Sequence, residues 1–394
     1  MKKVMMMALM AAAATTAFAQ DDLVKQASRV DDYAQAVEMI TPALTNAATV
    51  DKAKAWNTLA DIAMRKYNKE DEARLTGSVT NAKFDQVGMV AAFTTALNAA
   101  VKCDEFDQLP NEKGKIKPRF HKGNVSRMKQ PRVALINTGI DLINAQENET
   151  ALAFYEAFVS SAKSPLFAEE KPSYVELASL YAGISAYNLK KYDVAKNYLT
   201  IALNDTAQEV KAQAQRYLLP SMASTLKTPQ DTVNYINDLK GLLTANPDNT
   251  QFYGALGDIL YQTNKIDELR ALTAAHPTSE LSYFYNGLIA LDIDKKNDVA
   301  ISEFSKIPSS SVFNPIATYN RARARYALVA EFAEQNSDAR TGRMTPANEA
   351  KYKELVIAAK NEFEKVKELD PNQESFRWQY LLQNLTDVLG ELNK

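Results

Sequence analysis

The sequence predicts an all-α protein built from consecutive helical hairpins, and three observations carry the prediction. Only 12 Gly and 14 Pro interrupt 394 residues. Apolar side chains recur at intervals of three and four residues, as in 353–369, which is the period of an amphipathic helix. In several stretches a Gly is followed about a dozen residues later by an Ala, and four residues after that by a large apolar residue. One helical unit is therefore expected to recur along the chain.

The first nineteen residues are predicted to direct export. Lys2 and Lys3 precede an uncharged run, 4–14, and the small residues of 17–19 suit a signal peptidase. The run is too short to span a bilayer of about 30 Å. We expect a signal peptide at 1–19, cleaved after Ala19, and a mature chain that is periplasmic or secreted.

Residues 20–110 are predicted to form an N-terminal helical repeat region. The longest uncharged stretch in it, 87–101, contains Thr94, Thr95 and Asn98 and falls short of the about 18 apolar residues of a membrane span. It is interpreted as a buried helix. No transmembrane segment is expected after signal cleavage.

Residues 111–132 are predicted to be a basic loop inserted between two repeats. Gly114, Pro118 and Gly123 interrupt any helical period in the first half. No acidic residue occurs among the eight basic residues Lys113, Lys115, Lys117, Arg119, Lys122, Arg127, Lys129 and Arg132. Two interpretations remain open. The first six are a candidate patch for an anionic ligand, or the segment is a solvated connector.

Residues 133–394 contain the clearest repeats. The recurring positions are Gly183, Ala195 and Leu199; Gly139, Ala151 and Tyr155; and Gly287, Ala300 and Phe304. A fourth copy keeps Ala359, Phe363, Val366 and Pro371 but lacks a recognisable first half, and Leu256 and Gly257, followed by Ile266, open a more degenerate unit. Pro-containing turns at 245–249, 275–279 and 369–373 are predicted to end helices, because Pro lacks the backbone donor that a continuing helix needs.

These positions resemble the tetratricopeptide repeat (TPR) family, and an exported bacterial member of it. The resemblance implies an irregular right-handed superhelical solenoid, in which small residues let the two helices of each hairpin approach closely. It also implies a concave groove that binds a protein partner. The groove positions, with one neighbouring tyrosine, are Ile136, Ile140, Leu180, Ile184, Tyr187, Phe284 and Leu288.

The apolar character of these positions admits two explanations. The groove accepts an apolar or aromatic segment of a partner, or tight coiling buries the side chains against other helices. Apolar helix residues belong to a core more often than to a binding site.

Sequence motifs for catalysis are absent, so no enzyme activity, cofactor or metal site is predicted. His121 and His276 are the only histidines and lack paired metal-ligand spacing. The single Cys103 has no partner for an internal disulfide and is interpreted as a small buried hydrophobe. The motifs GxSxG, HExxH and CxxC do not occur.

Two segments, 205–207 and 231–233, resemble the Asp-Thr-aliphatic acceptor of a bacterial O-glycosylation system, with Thr206 and Thr232 as the acceptors. Both lie near predicted helix starts. Helix capping by the Asp and Thr side chains is the competing interpretation and is favoured.

The leading functional hypothesis is a non-catalytic scaffold or adaptor that binds another protein of the bacterial envelope. The alternative is a carrier or sensor of an anionic envelope ligand, a lipid or cell-wall polymer, bound through 113–132. Without Lys2 and Lys3 the chain has 44 basic and 48 acidic side chains, a formal charge of −4 that offers no general attraction for nucleic acid. The sequence leaves the oligomeric state open.

Overall fold

The chain folds into helices throughout the part that the computed structural model describes, which is residues 20–80, 83–169, 173–338, 340–341 and 343–393. These residues form seventeen α-helices and no β-strand, which confirms the predicted fold class. They belong to two compact units, the first ending at Lys227 and the second beginning at Thr228. The predicted signal peptide lies outside the described residues.

The first unit consists of nine α-helices and a short 3₁₀ turn at Pro165–Phe167. Each helix packs against the next one along the chain. The helices are α1 (Gln20–Ala27), α2 (Tyr33–Thr45), α3 (Lys52–Thr80), α4 (Gln86–Asp107), α5 (His121–Asn144), α6 (Asn148–Ser161), α7 (Val175–Asn188), α8 (Tyr192–Ala202) and α9 (Gln208–Ser224).

The second unit consists of eight α-helices, with a π-helical segment at Ile289–Ile293. Successive helices again pack side by side. They are α10 (Pro229–Ala245), α11 (Thr250–Gln262), α12 (Ile266–Ala275), α13 (Glu280–Leu288), α14 (Asn297–Ser305), α15 (Asn314–Asn336), α16 (Pro346–Leu369) and α17 (Gln379–Glu391).

The glycines of the repeat lie where the two helices of a hairpin approach closely, as the resemblance implies, but the side chain nearest to each is the large residue and not the small Ala with which the family pairs it. A Cβ atom at Gly183 would lie 2.5 Å from Cγ of Leu199, and one at Gly287 would lie 2.6 Å from the Phe304 ring. At Gly139 the nearest atom would be the Tyr155 hydroxyl, also at 2.5 Å. Each glycine thus makes room for the large residue that the sequence spacing pairs with it.

Gly257 makes room for a different neighbour than the sequence suggests. Its Cβ would lie 2.2 Å from the ring of Tyr285, which belongs to α13 of the next hairpin. The degenerate unit that opens with Leu256 and Gly257 therefore uses its glycine for packing between hairpins. Ile266, which follows Gly257 in the degenerate unit, begins α12 and is absent from this contact.

The structure also shows where the helices end and which helix precedes α16 of the fourth copy. Helices α10, α12 and α16 end at Ala245, Ala275 and Leu369, where the Pro-containing turns predict. Helix α15 packs on α16, which carries Ala359 and Phe363 of the fourth copy, and Ala322 of α15 belongs to the same buried cluster. The repeat is therefore complete in structure although its first helix lacks the sequence signature.

The predicted basic loop is only half correct. Residues 111–120 are non-helical, but α5 begins at His121, so the second half of 111–132 is helix. Buried residues at Met128, Leu135 and Leu142 continue one face of α5 through this region, and burial of that face outweighs the missing donor of Pro131. Helix α5 packs on α4 and α6, so residues on both sides of 111–132 belong to the first compact unit.

The long helix of 86–107 confirms the buried helix predicted for 87–101. It buries most of its residues, including Met89, Phe93 and Leu97, which are inaccessible to solvent. Among the described residues no helix is both long and apolar enough to cross a membrane.

Candidate functional site

Most of the predicted groove residues are buried in the cores of their own units. The five buried residues are Ile136, Leu180, Ile184, Phe284 and Leu288, with 1% to 9% of their surface exposed. Leu180 and Ile184 are buried because their helix, α7, packs against α6, α8 and α9 at once. Burial is the alternative that the sequence left open, and these five side chains are not accessible to a partner.

Ile140 and Tyr187 are the two predicted groove residues that remain half-buried. Tyr187, at the end of α7, lies against two further tyrosines that the sequence analysis did not single out. Its ring centroid is 5.3 Å from that of Tyr217 on α9 and 5.8 Å from that of Tyr192 on α8, both edge to face. We call Tyr187, Tyr192 and Tyr217 the tyrosine cluster.

The hydroxyl groups of the tyrosine cluster are not used in the fold. None of the three donates or accepts a hydrogen bond within the described part of the chain, and all three rings are half-buried. Tyr155, in the core, differs: its hydroxyl donates to the carbonyl of Ile136 at 2.7 Å. A buried tyrosine hydroxyl needs such a partner, so the cluster has the character of a contact surface rather than of a core.

An open cleft of about 430 Å³ lies at the N-terminal ends of α7 and α9. Glu176 and Asp205 are its charged side chains, and Leu177 and Val210 contribute to its apolar surface. Val210 and Tyr217 are two turns apart on one face of α9, about 10 Å along the helix. The cleft and the tyrosine cluster are thus on the same side of α9, and we call them together the α7–α9 surface.

Tyr181 on α7 adds a further aromatic side chain near the tyrosine cluster. Tyr181 is half-buried and stacks on Tyr155, with ring centroids 5.6 Å apart. Its pKa is raised by burial and by the nearby carboxylate of Glu209 on α9. A neutral, polarisable ring therefore lies near the Glu209 carboxylate of α9.

The sequence contains one signal for this site that the repeat pattern obscures. Six of the 18 tyrosines lie within 174–217, which is about a ninth of the chain. The groove positions near each Gly are core positions, and Tyr187 was named only as a tyrosine next to them. Tyrosine density, with no reference to the repeat, would have identified Tyr192 and Tyr217.

The candidate anion patch divides into two groups. Lys113, Lys115, Lys117 and Lys122 are exposed, and no carboxylate of the described chain lies within 4 Å of their ammonium groups. Arg119 instead binds Asp51 through two contacts of 2.7 Å, which lower the pKa of that carboxyl. Arg127 pairs with Asp61 on α3. The two arginines connect this segment to α3 and are not free to hold an anion.

Arg132, at the end of the basic segment, is a core residue. Its guanidinium lies 3.6 Å from the ring centroid of Phe158 and 4.5 Å from that of Phe167. It donates to the carbonyl of Phe158 at 2.8 Å and to the hydroxyl of Ser161 at 3.1 Å. Burial lowers its pKa to about 10, so the side chain keeps its charge at neutral pH.

The two histidines and the cysteine contact other side chains of the fold or are buried in it. His121 begins α5, and its Nδ1 lies 2.7 Å from the Asp104 carboxylate on α4. The His276 ring packs edge to face on Tyr253. Cys103 is inaccessible to solvent, which confirms the predicted buried hydrophobe. Among the described residues no group of three or more His, Cys, Asp or Glu side chains is arranged to hold a metal ion.

Cys103 is expected to be unreactive in the folded protein. Burial, together with Asp107, raises the pKa of its thiol to about 12, so the nucleophilic thiolate is scarcely populated at neutral pH. With Ellman's reagent we expect no measurable labelling of native protein and one thiol per chain in denaturant. Rapid labelling under native conditions would show that α4 and α5 open on the timescale of the reaction.

One of the two Asp-Thr segments caps a helix, as the favoured interpretation predicts, and the other forms a turn before α9, which has no side-chain cap. Asp205 accepts a hydrogen bond from the backbone nitrogen of Ala207 at 2.7 Å. Asp231 and Thr228 form a reciprocal capping box at the start of α10. Thr206 is exposed and Thr232 half-buried, and glycosylation of either remains a prediction.

Comparisons with known proteins give a weak structural likeness and no match in sequence. No protein-family model matches the sequence, and no curated protein matches it. A solved structure that is similar to the chain is that of a TPR repeats protein from Bacteroides fragilis NCTC 9343, with 16% sequence identity and a TM-score of 0.34. The match covers 66% of this chain and 98% of that one. At this score the likeness adds no argument, and the helical repeat is established by the glycine contacts described above.

Proposed function

We propose that this chain is an exported, non-catalytic scaffold that binds another protein of the bacterial envelope through the α7–α9 surface. The tyrosine cluster is the observation that carries the proposal. Half-exposed tyrosines with unused hydroxyls combine a large apolar face with a hydrogen-bonding group, and such residues are enriched at protein interfaces and dominate their energetics. Export is supported by the predicted signal peptide at 1–19, and the mature protein is proposed to be periplasmic or secreted.

The chemistry of the α7–α9 surface suggests which partner segment it accepts. The tyrosine cluster suits an aliphatic or aromatic side chain. The cleft, with Glu176 and Asp205 and no basic residue among those that line it, suits a basic or hydrogen-bond-donating group about two helical turns away. We propose a partner segment that carries both.

Site-specific photo-crosslinking tests this proposal. A photo-reactive phenylalanine analogue placed at Tyr217 in the tagged chain is expected to capture one dominant envelope protein in cells, identified by mass spectrometry. The matched control is Tyr380 on α17, which is 77% exposed but lies outside the proposed surface. Equal capture from both positions, or no capture from Tyr217, would refute the assignment of this surface.

The double variant Tyr187→Ala and Tyr217→Ala measures the contribution of the cluster. We expect the captured protein to be lost from pull-downs, because truncating central interface tyrosines commonly costs 2 kcal/mol or more of binding free energy. Circular dichroism of the variant controls for folding, since both rings are half-buried. Retention of the partner by a folded double variant would contradict the proposal.

The exposed lysines favour a second candidate function, a carrier or sensor of an anionic envelope ligand. Lys113, Lys115, Lys117 and Lys122 have no ion pair within the described chain. Binding through them weakens as salt rises, whereas binding through the tyrosine cluster persists. Salt dependence therefore distinguishes the two functions.

A further inference from the structure

The loop between α4 and α5 is firmly fixed at its base. Buried Asp107, at the end of α4, accepts a hydrogen bond from the backbone nitrogen of Phe120 at 2.7 Å. Arg119 lies 3.6 Å from the same carboxylate and binds Asp51 at the start of α3. Three helix ends thus hold the two ends of the loop in place.

The tip of the loop also has a defined shape. The side-chain oxygen of Asn111 accepts hydrogen bonds from the backbone nitrogens of Lys113 and Lys115, at 3.0 and 3.2 Å. The Asn111 nitrogen in turn donates to the carbonyl of Lys115 at 3.0 Å. Gly114 has a φ of 70°, a left-handed conformation that glycine adopts without strain. The two lysines are therefore presented on a tight turn, and little backbone entropy remains to be lost on binding.

The tip of the loop between α4 and α5 carries an excess of positive charge. Lys113, Lys115 and Lys117 are exposed and have no carboxylate of the described chain within 4 Å, and Glu112 is the only acidic residue within 108–122. The positive charge of Arg119 is already neutralised by Asp51 and Asp107. The lysines thus form a local positive patch on a chain whose overall charge is slightly negative.

Aliphatic side chains project into solvent beside the lysines. Leu109 is 59% exposed and Ile116 is 56% exposed, and Val50, next to the Asp51 that binds Arg119, is 88% exposed. Exposed aliphatic residues clustered with unpaired basic residues mark a surface that is covered by something else.

We propose that this loop docks the protein onto an anionic phospholipid bilayer. Lysines that flank an aliphatic side chain suit an interface in which ammonium groups contact lipid phosphates while Ile116 and Leu109 enter the acyl boundary. A soluble anionic polymer would use the lysines but leave the aliphatic side chains exposed to water. The inference rests on the second candidate function and identifies its ligand as the membrane surface.

Vesicle sedimentation of the purified protein tests the inference. We expect binding to phosphatidylcholine vesicles that contain about one third phosphatidylglycerol, and none to pure phosphatidylcholine, at about 0.1 M salt. Replacing Lys113, Lys115 and Lys117 by Gln is expected to reduce the partition coefficient by roughly 100-fold, since each lysine near an anionic surface contributes about a fivefold factor. Ile116→Asn is expected to reduce it by about tenfold.

The matched control replaces three exposed lysines outside the loop, Lys69, Lys163 and Lys190, by Gln. It is expected to bind within about twofold of the parent protein, because the proposed docking surface does not include them. Equal losses in both triple variants, binding that ignores Ile116→Asn, or binding to an anionic polysaccharide but not to vesicles would each overturn the proposal. None of these assays contains a protein partner. Failure here therefore leaves the crosslinking test of the α7–α9 surface unaffected.

Discussion

Replacing Gly257 by Ala is expected to lower the free energy of unfolding of the second unit by about 2–3 kcal/mol. The added Cβ would lie 2.2 Å from the ring of Tyr285, a separation that requires one of the two helices to shift. Tyr285 is 2% exposed, and its hydroxyl donates to Gly254 O and lies against Asp258 Oδ1, both at 2.8 Å. Moving the ring would weaken these contacts, which adds to the overpacking cost of about 1–3 kcal/mol.

Gly254→Ala provides the matched control, in the same helix and nearly one turn away. A Cβ there has no atom within 4 Å, so the variant is expected to gain up to about 1 kcal/mol from helix propensity. Urea unfolding followed by Trp378 fluorescence in a Trp56→Phe background measures the second unit alone, since these are the only two tryptophans. Equal stability changes for the two alanine variants would show that the Gly257 contact with Tyr285 is not tight.

Glu362→Ala is expected to cost about 3 kcal/mol of stability in the same assay. Glu362 is 4% exposed and binds Arg321 through contacts of 2.6 and 3.0 Å. Arg325 and Lys365 also lie near its carboxylate, at 3.3 and 3.7 Å. Removing the buried anion leaves three positive charges without their shared partner, and breaking a buried pair in this way typically costs about 3–5 kcal/mol. The lower end applies because the arginines are partly solvated.

Glu364→Gln is the control for Glu362, two residues along α16. Glu364 pairs with Lys360 at 3.0 Å on a side chain that is 41% exposed, and such a pair contributes about 0.5 kcal/mol or less. Adding Arg325→Met to Glu362→Ala should recover part of the loss, because one uncompensated charge is removed. Additive effects in that double variant would contradict a shared carboxylate.

The arginines of α15 show how far side-chain spacing determines contacts. Arg321 and Arg325 are four residues apart and share a helix face, so both reach Glu362. Arg323 points elsewhere and binds Asp292 at 3.0 Å. The sequence predicts that the first and last arginine share a side. It contains no information on which carboxylate they meet, because Glu362 is 41 residues away and is brought there by the packing of α16 on α15.

The candidate site was predictable only in part, because helix packing brings together residues that are distant in the sequence. Position relative to each Gly selects Leu180 and Ile184, which the neighbouring helices bury, whereas Tyr187 only neighbours these positions. The six basic residues of 113–127 are predicted to form one patch, whereas Arg119 and Arg127 are bound by aspartates near and on α3 that precede them by 68 and 66 residues. Long-range partners of this kind leave no local pattern in the sequence.

The sequence by itself determined the helices, several of their ends and the Gly-to-large-residue contacts within hairpins, because periodicity, proline and the absence of a Cβ act over a few residues or within one hairpin. Only the tertiary structure decided that the chain divides at 227/228, that Gly257 packs on the next hairpin, and which apolar or basic residues remain exposed. Exposure is what remains after every helix has packed against its neighbours. It is therefore a property of the whole unit, which no short stretch of sequence specifies.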